Sequence, residues 1–392
     1  MPALPYFALK PVHKRILSLF IPLFLSFLLL EREPLSAQQK TGQPIDIVFC
    51  LDLSSSANGL IDQMRNHIWD YWYFLSRCQP TPNYRISVVA YSRFSYGSKT
   101  GYVKVIKDLS SDFELLSALL YKIPSRIEKG DQYVGSALNT CLKKLSWSKD
   151  PNALKIIFLV GNGDVKLGSD DIDRVTEKLV QQRVIINTVY CTVPGERKAI
   201  RGWSRLAELG NGKMSVISLR NRYFDRLNGF DLQRFRALNR KFNSTYLHYG
   251  EGGYKRWKLL INEDNHIFIT NTEGYRYRSL FKISDDYQKK NYSWDLVDLY
   301  YKNPVGFMDA DRKLMNDSCK RMSAERMKDY IVYKKYERKK LSAMIADMIA
   351  EKELKDRVNG KVMEKGMATF DIVTMHMIRD LLIARGITCP VY

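Results

Sequence analysis

One short polar run in this 392-residue chain has the residue types and spacing of a metal site. Asp52, Ser54 and Ser56 stand at alternate positions directly after the apolar segment IDIVFCL. A turn at this point can direct one carboxylate and two hydroxyl groups toward a single position. Hard divalent cations such as Mg²⁺ bind oxygen ligands of this kind and keep some of their waters. The run therefore predicts a divalent-metal site, with capping of the following helix by the serines as the alternative.

The segments around this run alternate between two hydrophobic patterns. Short β-branched runs predict strands at 45–52, 85–92, 102–106, 154–161, 184–191 and 213–217. Apolar residues at helical spacing predict helices at 59–77, 113–121, 133–145, 170–182 and 198–209. Strands that alternate with helices of this length form βαβ units and a mostly parallel sheet covered on both faces. The predicted fold class is α/β, a doubly wound, Rossmann-like sheet.

The place of the polar run in this pattern supports the metal interpretation. Such sheets bind ligands at the carboxyl ends of their strands, and the first predicted strand ends at Asp52. In this context the run resembles the metal-ion-dependent adhesion site of the von Willebrand factor A (vWA) family, which begins with DxSxS after the first strand. The resemblance implies Mg²⁺, or another divalent cation such as Mn²⁺ or Ca²⁺. It also implies a partner protein whose carboxylate completes the metal shell.

The resemblance further implies metal ligands from two later loops. In GDQYVGSAL (130–138), Asp131 stands where many family members have a threonine or an aspartate. In the third loop, Asn162 stands at the usual aspartate position and Asp164 follows two residues later. A neutral amide oxygen is a weaker ligand than a carboxylate, so Asn162 implies reduced metal affinity. The predicted metal residues are therefore Asp52, Ser54, Ser56, Asp131, Asn162 and Asp164.

Four further segments resemble landmarks of one bacterial group of exported vWA-domain proteins whose biochemical role is undefined. The segments are FLVGNGDVKLG (158–168), RGWSRLAELGNGKMSVI (201–217), NSTYLHYG (243–250) and YSWDLVDLY (292–300). The resemblance therefore extends over most of the chain and implies an exported bacterial protein. It implies an architecture without supplying a reaction.

The first 37 residues have the order of a secretory signal. Basic residues precede an apolar run at 16–30, and Ala37 offers a small residue at the cleavage point. An uncleaved N-terminal anchor is the alternative, although the run is short for a membrane span of about 20 residues. Residues 38–44 then form a linker, and nothing later resembles a transmembrane helix. We expect export to the periplasm, the outer surface or the medium.

The composition changes after Leu219 and predicts a boundary between a vWA domain at 45–219 and a second domain at 220–392. The second domain is basic and tyrosine-rich, and its clearest helical patterns lie at 232–242, 324–354 and 370–385. We therefore predict a mainly α-helical domain after the sheet.

Two motifs in the second domain have competing interpretations. Basic and aromatic residues interleave from 220 to 242, a pattern that occurs in nucleic-acid binding. Nucleic acid is disfavoured as a partner of an exported protein, and a helix with a packed aromatic face and a solvated basic face is the simpler explanation. Asp295 and Asp298 follow Trp294 closely. Helix capping by Asp295, or buried pairing with arginine, is favoured there over catalysis.

Charge and cysteine content restrict the partners. The formal net charge of +20 draws the protein to polyanions such as acidic envelope or host surfaces. Six cysteines allow 15 pairings, and their wide spacing leaves the disulfide pattern open. Cys50 and Cys191 lie in strand-like runs that are typical of buried free thiols.

No catalytic motif accompanies the predicted metal site. The sequence contains neither GxSxG nor HExxH, and its five histidines form no sequence cluster. We therefore expect a non-enzymatic protein-binding or adhesion module that depends on a divalent metal. One alternative is a metal-independent structural or assembly protein of the cell envelope that acts through the second domain. The other is a hydrolase with an unidentified site.

Overall fold

The computed structural model describes residues 42–125, 128–192, 199–219, 229–358 and 369–391. The predicted signal peptide, most of the predicted linker and the first part of the basic-aromatic stretch lie outside these residues. Within the described part of the chain, no helix is long and apolar enough to cross a membrane.

A six-stranded sheet is the central element of the first half of the chain. Its strands are β1 (Pro44–Asp52), β2 (Asn83–Tyr91), β3 (Val103–Ser110), β4 (Leu154–Gly161), β5 (Val184–Cys191) and β6 (Met214–Ile217). They lie in the order β3-β2-β1-β4-β5-β6. All neighbours are parallel except β3, which pairs antiparallel with β2 at one edge. The prediction of a doubly wound, mostly parallel sheet is confirmed.

The central strands β1 and β4 are buried on both faces. Phe49 and Phe158 point into one hydrophobic cluster, and Cys50 and Leu159 point into the other. Because both faces are covered, these strands are continuous apolar runs in the sequence rather than alternating ones. The edge strand β3 is only partly buried.

Helices form a layer on each face of the sheet. On one face lie α1 (Leu60–Ser76) and α2 (Phe113–Tyr121). On the other lie α3 (Val134–Lys144), α4 (Ile172–Gln181) and α5 (Ile200–Leu209). Helix α1 is buried over most of its circumference because further helices cover its outer side.

The described residues after 229 are mainly helical and add no strand to the sheet. Their helices are α6 (Leu232–Asn243), α7 (Gly253–Thr270), α8 (Thr272–Lys282), α9 (Asp285–Lys289), α10 (Leu296–Lys302), α11 (Pro304–Met308), α12 (Asp317–Lys320), α13 (Ala324–Val358) and α14 (Phe370–Ile383). Side chains from α6, α7, α8, α13 and α14 join the same hydrophobic cluster as β1 and α1. The prediction of a helical second half is confirmed, and the domain boundary near 219 stays a prediction.

Helix α6 has the two faces expected for the basic-aromatic stretch. Phe235 and Phe242 are fully buried, whereas Arg240 and Lys241 are exposed on the same helix. The side chains of Phe235 and Phe242 therefore contribute to the core and are unavailable for stacking on bases.

A disulfide bond joins Cys78, just after α1, to Cys389 near the end of the chain. Beside it, Gln79 and Thr388 exchange two backbone hydrogen bonds of 2.7 and 2.8 Å. The cross-link connects positions 311 residues apart. The other four cysteines are free and buried: Cys50, Cys141, Cys191 and Cys319. They include Cys50 and Cys191, which the sequence predicts to be buried free thiols.

Arg338 on α13 is a fully buried cation with buried partners. Its guanidinium donates to Asp295 at 2.9 Å and to Asp298 at 3.0 Å. It also donates to the hydroxyl and the carbonyl oxygen of Thr245, each at 3.0 Å. Asp295 caps α10 as well, by accepting from the backbone N–H of Asp298. The preference for capping and arginine pairing over catalysis agrees with these contacts.

We expect Arg338→Met to lower the free energy of unfolding by about 3–5 kcal/mol, because it leaves two buried carboxylates without their cation. Lys335→Met is a matched control on the same helix, since Lys335 is 37% exposed and 3.7 Å from Asp298. The control should cost less than about 1 kcal/mol. Urea unfolding of both variants measures the difference, and equal losses would contradict a structural role for the buried network.

Candidate metal site

The candidate site begins where β1 ends, at Asp52. Residues Ser55–Ala57 form one turn of 3₁₀ helix between β1 and α1. Asp52 and Ser54 are buried in this turn, whereas Ser56 is exposed. The N-cap of α1 is Gly59, which has no side chain to accept a capping hydrogen bond. Ser54 precedes the 3₁₀ turn, and its side chain makes no capping hydrogen bond there. The interpretation of these serines as helix caps is therefore wrong.

The hydroxyl groups and the carboxylate of this turn form a compact cluster of oxygens. Asp52 Oδ1 accepts from the backbone N–H of Ser54 at 2.8 Å. The Oγ atoms of Ser54 and Ser56 are 3.0 Å apart, and Ser56 Oγ donates to Asn162 Oδ1 at 2.8 Å. The structure thus brings together four of the six predicted metal residues.

Asn162 reaches this cluster because β4 lies next to β1. The pairing of Leu51 with Val160 is parallel, so both strands end at the same edge of the sheet. Gly161 is the last residue of β4 and lies against Asp52, so a Cβ at position 161 would stand 2.6 Å from the Cβ of Asp52. The absence of a side chain at 161 therefore permits the close approach of the two strand ends.

Gln132 is the fifth member of the cluster and was not among the predicted residues. Its side-chain nitrogen Nε2 donates to Ser56 Oγ at 2.9 Å, to Asn162 Oδ1 at 2.8 Å and to Ser54 Oγ at 3.4 Å. The residue comes from the second loop, as the resemblance implies, but one position after Asp131. Sequence pattern indicates that this loop reaches the rim, and only the backbone path decides which side chain points inward.

The second loop is held against the first by Glu128. This residue forms a backbone bridge with Ser54, and its carboxylate accepts from Arg93 at 2.8 Å and from Ser95 N at 3.1 Å. Hydrogen bonding from the Arg93 guanidinium lowers the pKa of Glu128 to about 2. Gly130 also lies so close to the backbone of Ser92 that a Cβ would stand 1.9 Å from its carbonyl oxygen.

Asp131 and Asp164 lie at the edge of the site, and both are exposed. Asp131 accepts from the hydroxyl of Tyr133 at 3.3 Å. Asp164 accepts from the backbone N–H of Lys166 at 3.0 Å, within its own loop. Among the described residues, no hydrogen bond links either carboxylate to the serine cluster. Their role as metal ligands stays a prediction.

The carboxylate of Asp52 is the electrostatic feature of the site. The residue is fully buried, and its Oδ2 atom has no hydrogen-bond partner within the described ranges. Burial raises the pKa of Asp52 to about 6. This effect outweighs the opposite effects of hydrogen bonding by Ser54 and of weaker interactions with the Ser92 side chain and the Asn162 backbone. A divalent cation would supply both the missing charge and a partner for Oδ2. The surrounding oxygen donors suit Mg²⁺, Mn²⁺ or Ca²⁺.

A second group of potential ligands lies between α1 and α14. His67 Nδ1 is 2.7 Å from Asp70 Oδ2 and 3.5 Å from Asp371 Oδ2, and all three residues are buried. Burial alone lowers the pKa of His67, but the carboxylates of Asp371 and Asp70 outweigh it and raise the pKa above the ordinary value. The arrangement is that of an ion pair joining two helices.

The comparisons with known proteins find similarity only among solved structures. No protein-family model and no curated protein matches the chain. A von Willebrand factor type A protein from Catenulispora acidiphila is 14% identical over 45% of this chain and 39% of its own, with a TM-score of 0.34.

Two further solved structures are similar at the same level. Proximal thread matrix protein 1 from the mussel byssus, solved with a zinc-occupied MIDAS motif, is 16% identical over 46% of this chain and 43% of its own, with a TM-score of 0.34. The manganese-loaded TRAP protein of Plasmodium vivax is 15% identical over 45% of this chain and 69% of its own, with a TM-score of 0.32. Scores this low carry no argument about function, and the fold rests on the sheet described above.

Gly163→Ala should lower the free energy of unfolding more than Gly250→Ala does. Both glycines have left-handed backbone conformations, with φ of +77° and +76°, so alanine costs about 1–2 kcal/mol at either position. Only at Gly163 would the new Cβ meet another group, 1.8 Å from Oε1 of Gln132. Displacing that amide adds about 1 kcal/mol in lost hydrogen bonds. Equal losses in urea unfolding would contradict the placement of Gln132 in the cluster.

Proposed function

We propose that this chain is an exported protein-binding module whose affinity for its partner depends on a divalent cation held at Asp52. The observation that carries the proposal is the buried carboxylate of Asp52 at the rim of the sheet. Its Oδ2 atom has no hydrogen-bond partner among the described residues, and its Oδ1 atom accepts from the backbone N–H of Ser54. The hydroxyl of Ser54 is hydrogen-bonded to that of Ser56, which donates to the side-chain oxygen of Asn162. A buried carboxylate without a counter-charge is costly, so this arrangement is expected where a cation binds.

Asp52, Ser54, Ser56 and Asn162 are the residues that would hold the cation. When bound, the cation supplies a Lewis-acidic position open to a further oxygen ligand. The buried side chains of Asp52, Ser54 and Asn162 close the site on the protein side, whereas Ser56 is exposed. A carboxylate of a partner protein is the ligand that suits this open side, because it combines charge with oxygen donors. The role is binding rather than catalysis.

The disulfide between Cys78 and Cys389 supports export. Such bonds form and persist in oxidising compartments and are rare in the cytosol of most organisms. The signal-like N-terminal sequence points in the same direction. The proposed location is the periplasm, the outer surface or the medium of a bacterium.

A second candidate function is assembly in the cell envelope through the helical half of the chain. It is favoured by large apolar side chains that are exposed on α10, α11 and α13: Tyr301, Val305, Met308, Val332, Tyr333 and Tyr336. Lys335 lies 5.6 Å from the ring of Tyr301, so α10 and α13 are in contact there. Exposed aromatic residues and methionine are enriched on surfaces that bind other proteins. Such binding would not require a metal.

Addition of Mg²⁺ or Mn²⁺ to the metal-stripped protein should raise its melting temperature. At a cation concentration 100 times the dissociation constant, the stabilisation is about 2.7 kcal/mol. Asp52→Asn keeps the shape of the side chain but removes its charge, and should abolish the rise. Asp150→Asn is the control and should retain the rise, because Asp150 is exposed and its carboxylate accepts from the backbone N–H of Asn152 in its own loop. A wild-type protein whose melting temperature does not respond to either ion would contradict the proposed metal site.

Peptides selected from a random display library on the Mn²⁺-loaded protein should carry an aspartate or a glutamate that is essential for binding. Exchange of that residue for its amide, addition of chelator and the Asp52→Asn variant should each weaken binding at least about tenfold. The variant Tyr333→Ala/Tyr336→Ala is the control for the second candidate function, and should bind the peptides normally. Binding that survives chelation but is lost in this variant would favour metal-independent assembly.

A further inference from the structure

The side chain of Gln132 stands at the centre of the candidate site and makes three of its hydrogen bonds. Its Nε2 atom lies within 2.8–3.4 Å of Ser54 Oγ, Ser56 Oγ and Asn162 Oδ1. These are the oxygens that the proposed function assigns to the cation. One amide nitrogen therefore contacts most of the ligand set at once.

An amide nitrogen and a cation cannot occupy the same position between these oxygens. Each oxygen has two lone pairs, but Nε2 lies within hydrogen-bond distance of all three atoms, where a shared cation would also lie. The hydrogens on Nε2 carry positive partial charge, which repels a cation. The amide nitrogen has no free lone pair of its own to offer as a ligand. A cation that enters the cluster must therefore break the hydrogen bonds of Gln132.

The side chain of Gln132 packs against the backbone of Gly163. Oε1 of Gln132 lies beside Gly163, in space that is free because glycine has no side chain. A Cβ at position 163 would lie 1.8 Å from this Oε1 atom. The backbone of Gly163 is fixed in turn, because Trp203 Nε1 donates to its carbonyl oxygen at 2.9 Å. Gln132 itself is only half-buried and follows the exposed Asp131. The side chain of Gln132 can therefore rotate toward solvent without moving the residues of the core.

Resting on the proposed function, we infer that Gln132 is a latch that closes the metal site in the absence of a cation. In the closed state its NH₂ group stands in for the cation by bridging the oxygens of Ser54, Ser56 and Asn162. In the open state the side chain rotates away and the oxygens are released to the cation. The latch lowers the apparent affinity by the fraction of molecules that are open. The cation concentration that half-saturates the site is therefore raised by the same factor.

Calorimetric titration of the full chain with Mn²⁺ alone tests the latch. Gln132→Ala removes the competing amide, so its dissociation constant should be at least about fivefold lower than that of the wild type. Gln181→Ala, an exposed glutamine at the end of α4, is the control and should leave the constant unchanged. An equal or weaker affinity in Gln132→Ala would overturn the latch. The weaker result would instead identify Gln132 as a ligand through Oε1.

A second measurement examines the closed state without reference to affinity. In ¹⁵N NMR spectra, the side-chain NH₂ signals that disappear in Gln132→Ala should exchange slowly with water in the metal-free wild type. Saturation with Mg²⁺ should make this exchange fast, because the amide moves into solvent. Fast exchange in the metal-free protein would overturn the latch.

The two proposals fail in different ways. If the wild type binds Mn²⁺ and the variant gains no affinity, the latch is wrong and the metal-dependent module stands. If neither protein binds Mn²⁺, both proposals are wrong, and Gln132 is then a permanent replacement for the cation.

Discussion

The parallel pairing of β1 with β4 is the constraint on which the rest of the site depends. Leu51 and Val160 are register partners, so Asp52 and Asn162 both follow the strands at the same edge of the sheet although they are far apart in the sequence. Antiparallel pairing would place the two strand ends at opposite edges. Gly161 lets the ends of β1 and β4 approach each other closely, since any side chain at position 161 would clash with Asp52. The loops therefore supply ligands to a geometry that the sheet has already set.

The burial of Asp52 gives this geometry its chemical meaning. Water is excluded from the carboxylate, and burial raises its pKa to about 6, so the charged form needs a partner. The serine and asparagine oxygens nearby suit a hard cation. The amide of Gln132 satisfies those neighbouring oxygens but brings no charge to Asp52. The site thus has one buried carboxylate without a counter-charge, and the proposed function rests on that feature.

Helix α1 joins the site to the remainder of the protein. It begins just after the serine turn, its outer side packs against α8 and α14, and the disulfide at Cys78 lies beyond its end. The buried ion pair of His67 with Asp70 and Asp371 links α1 to α14 as well. One helix thus contacts both the rim of the sheet and the helical half of the chain.

The sequence by itself determined the sheet, its flanking helices and the first-strand residues of the site. Hydrophobic periodicity is a local property, and Asp52, Ser54 and Ser56 are neighbours along the chain. Asn162 was placed by the resemblance to the vWA family, in which an aspartate usually stands at this position. Only the tertiary structure decided that Gln132 rather than Asp131 points into the cluster, and that Cys78 pairs with Cys389. Both depend on contacts between distant segments, which no local pattern records.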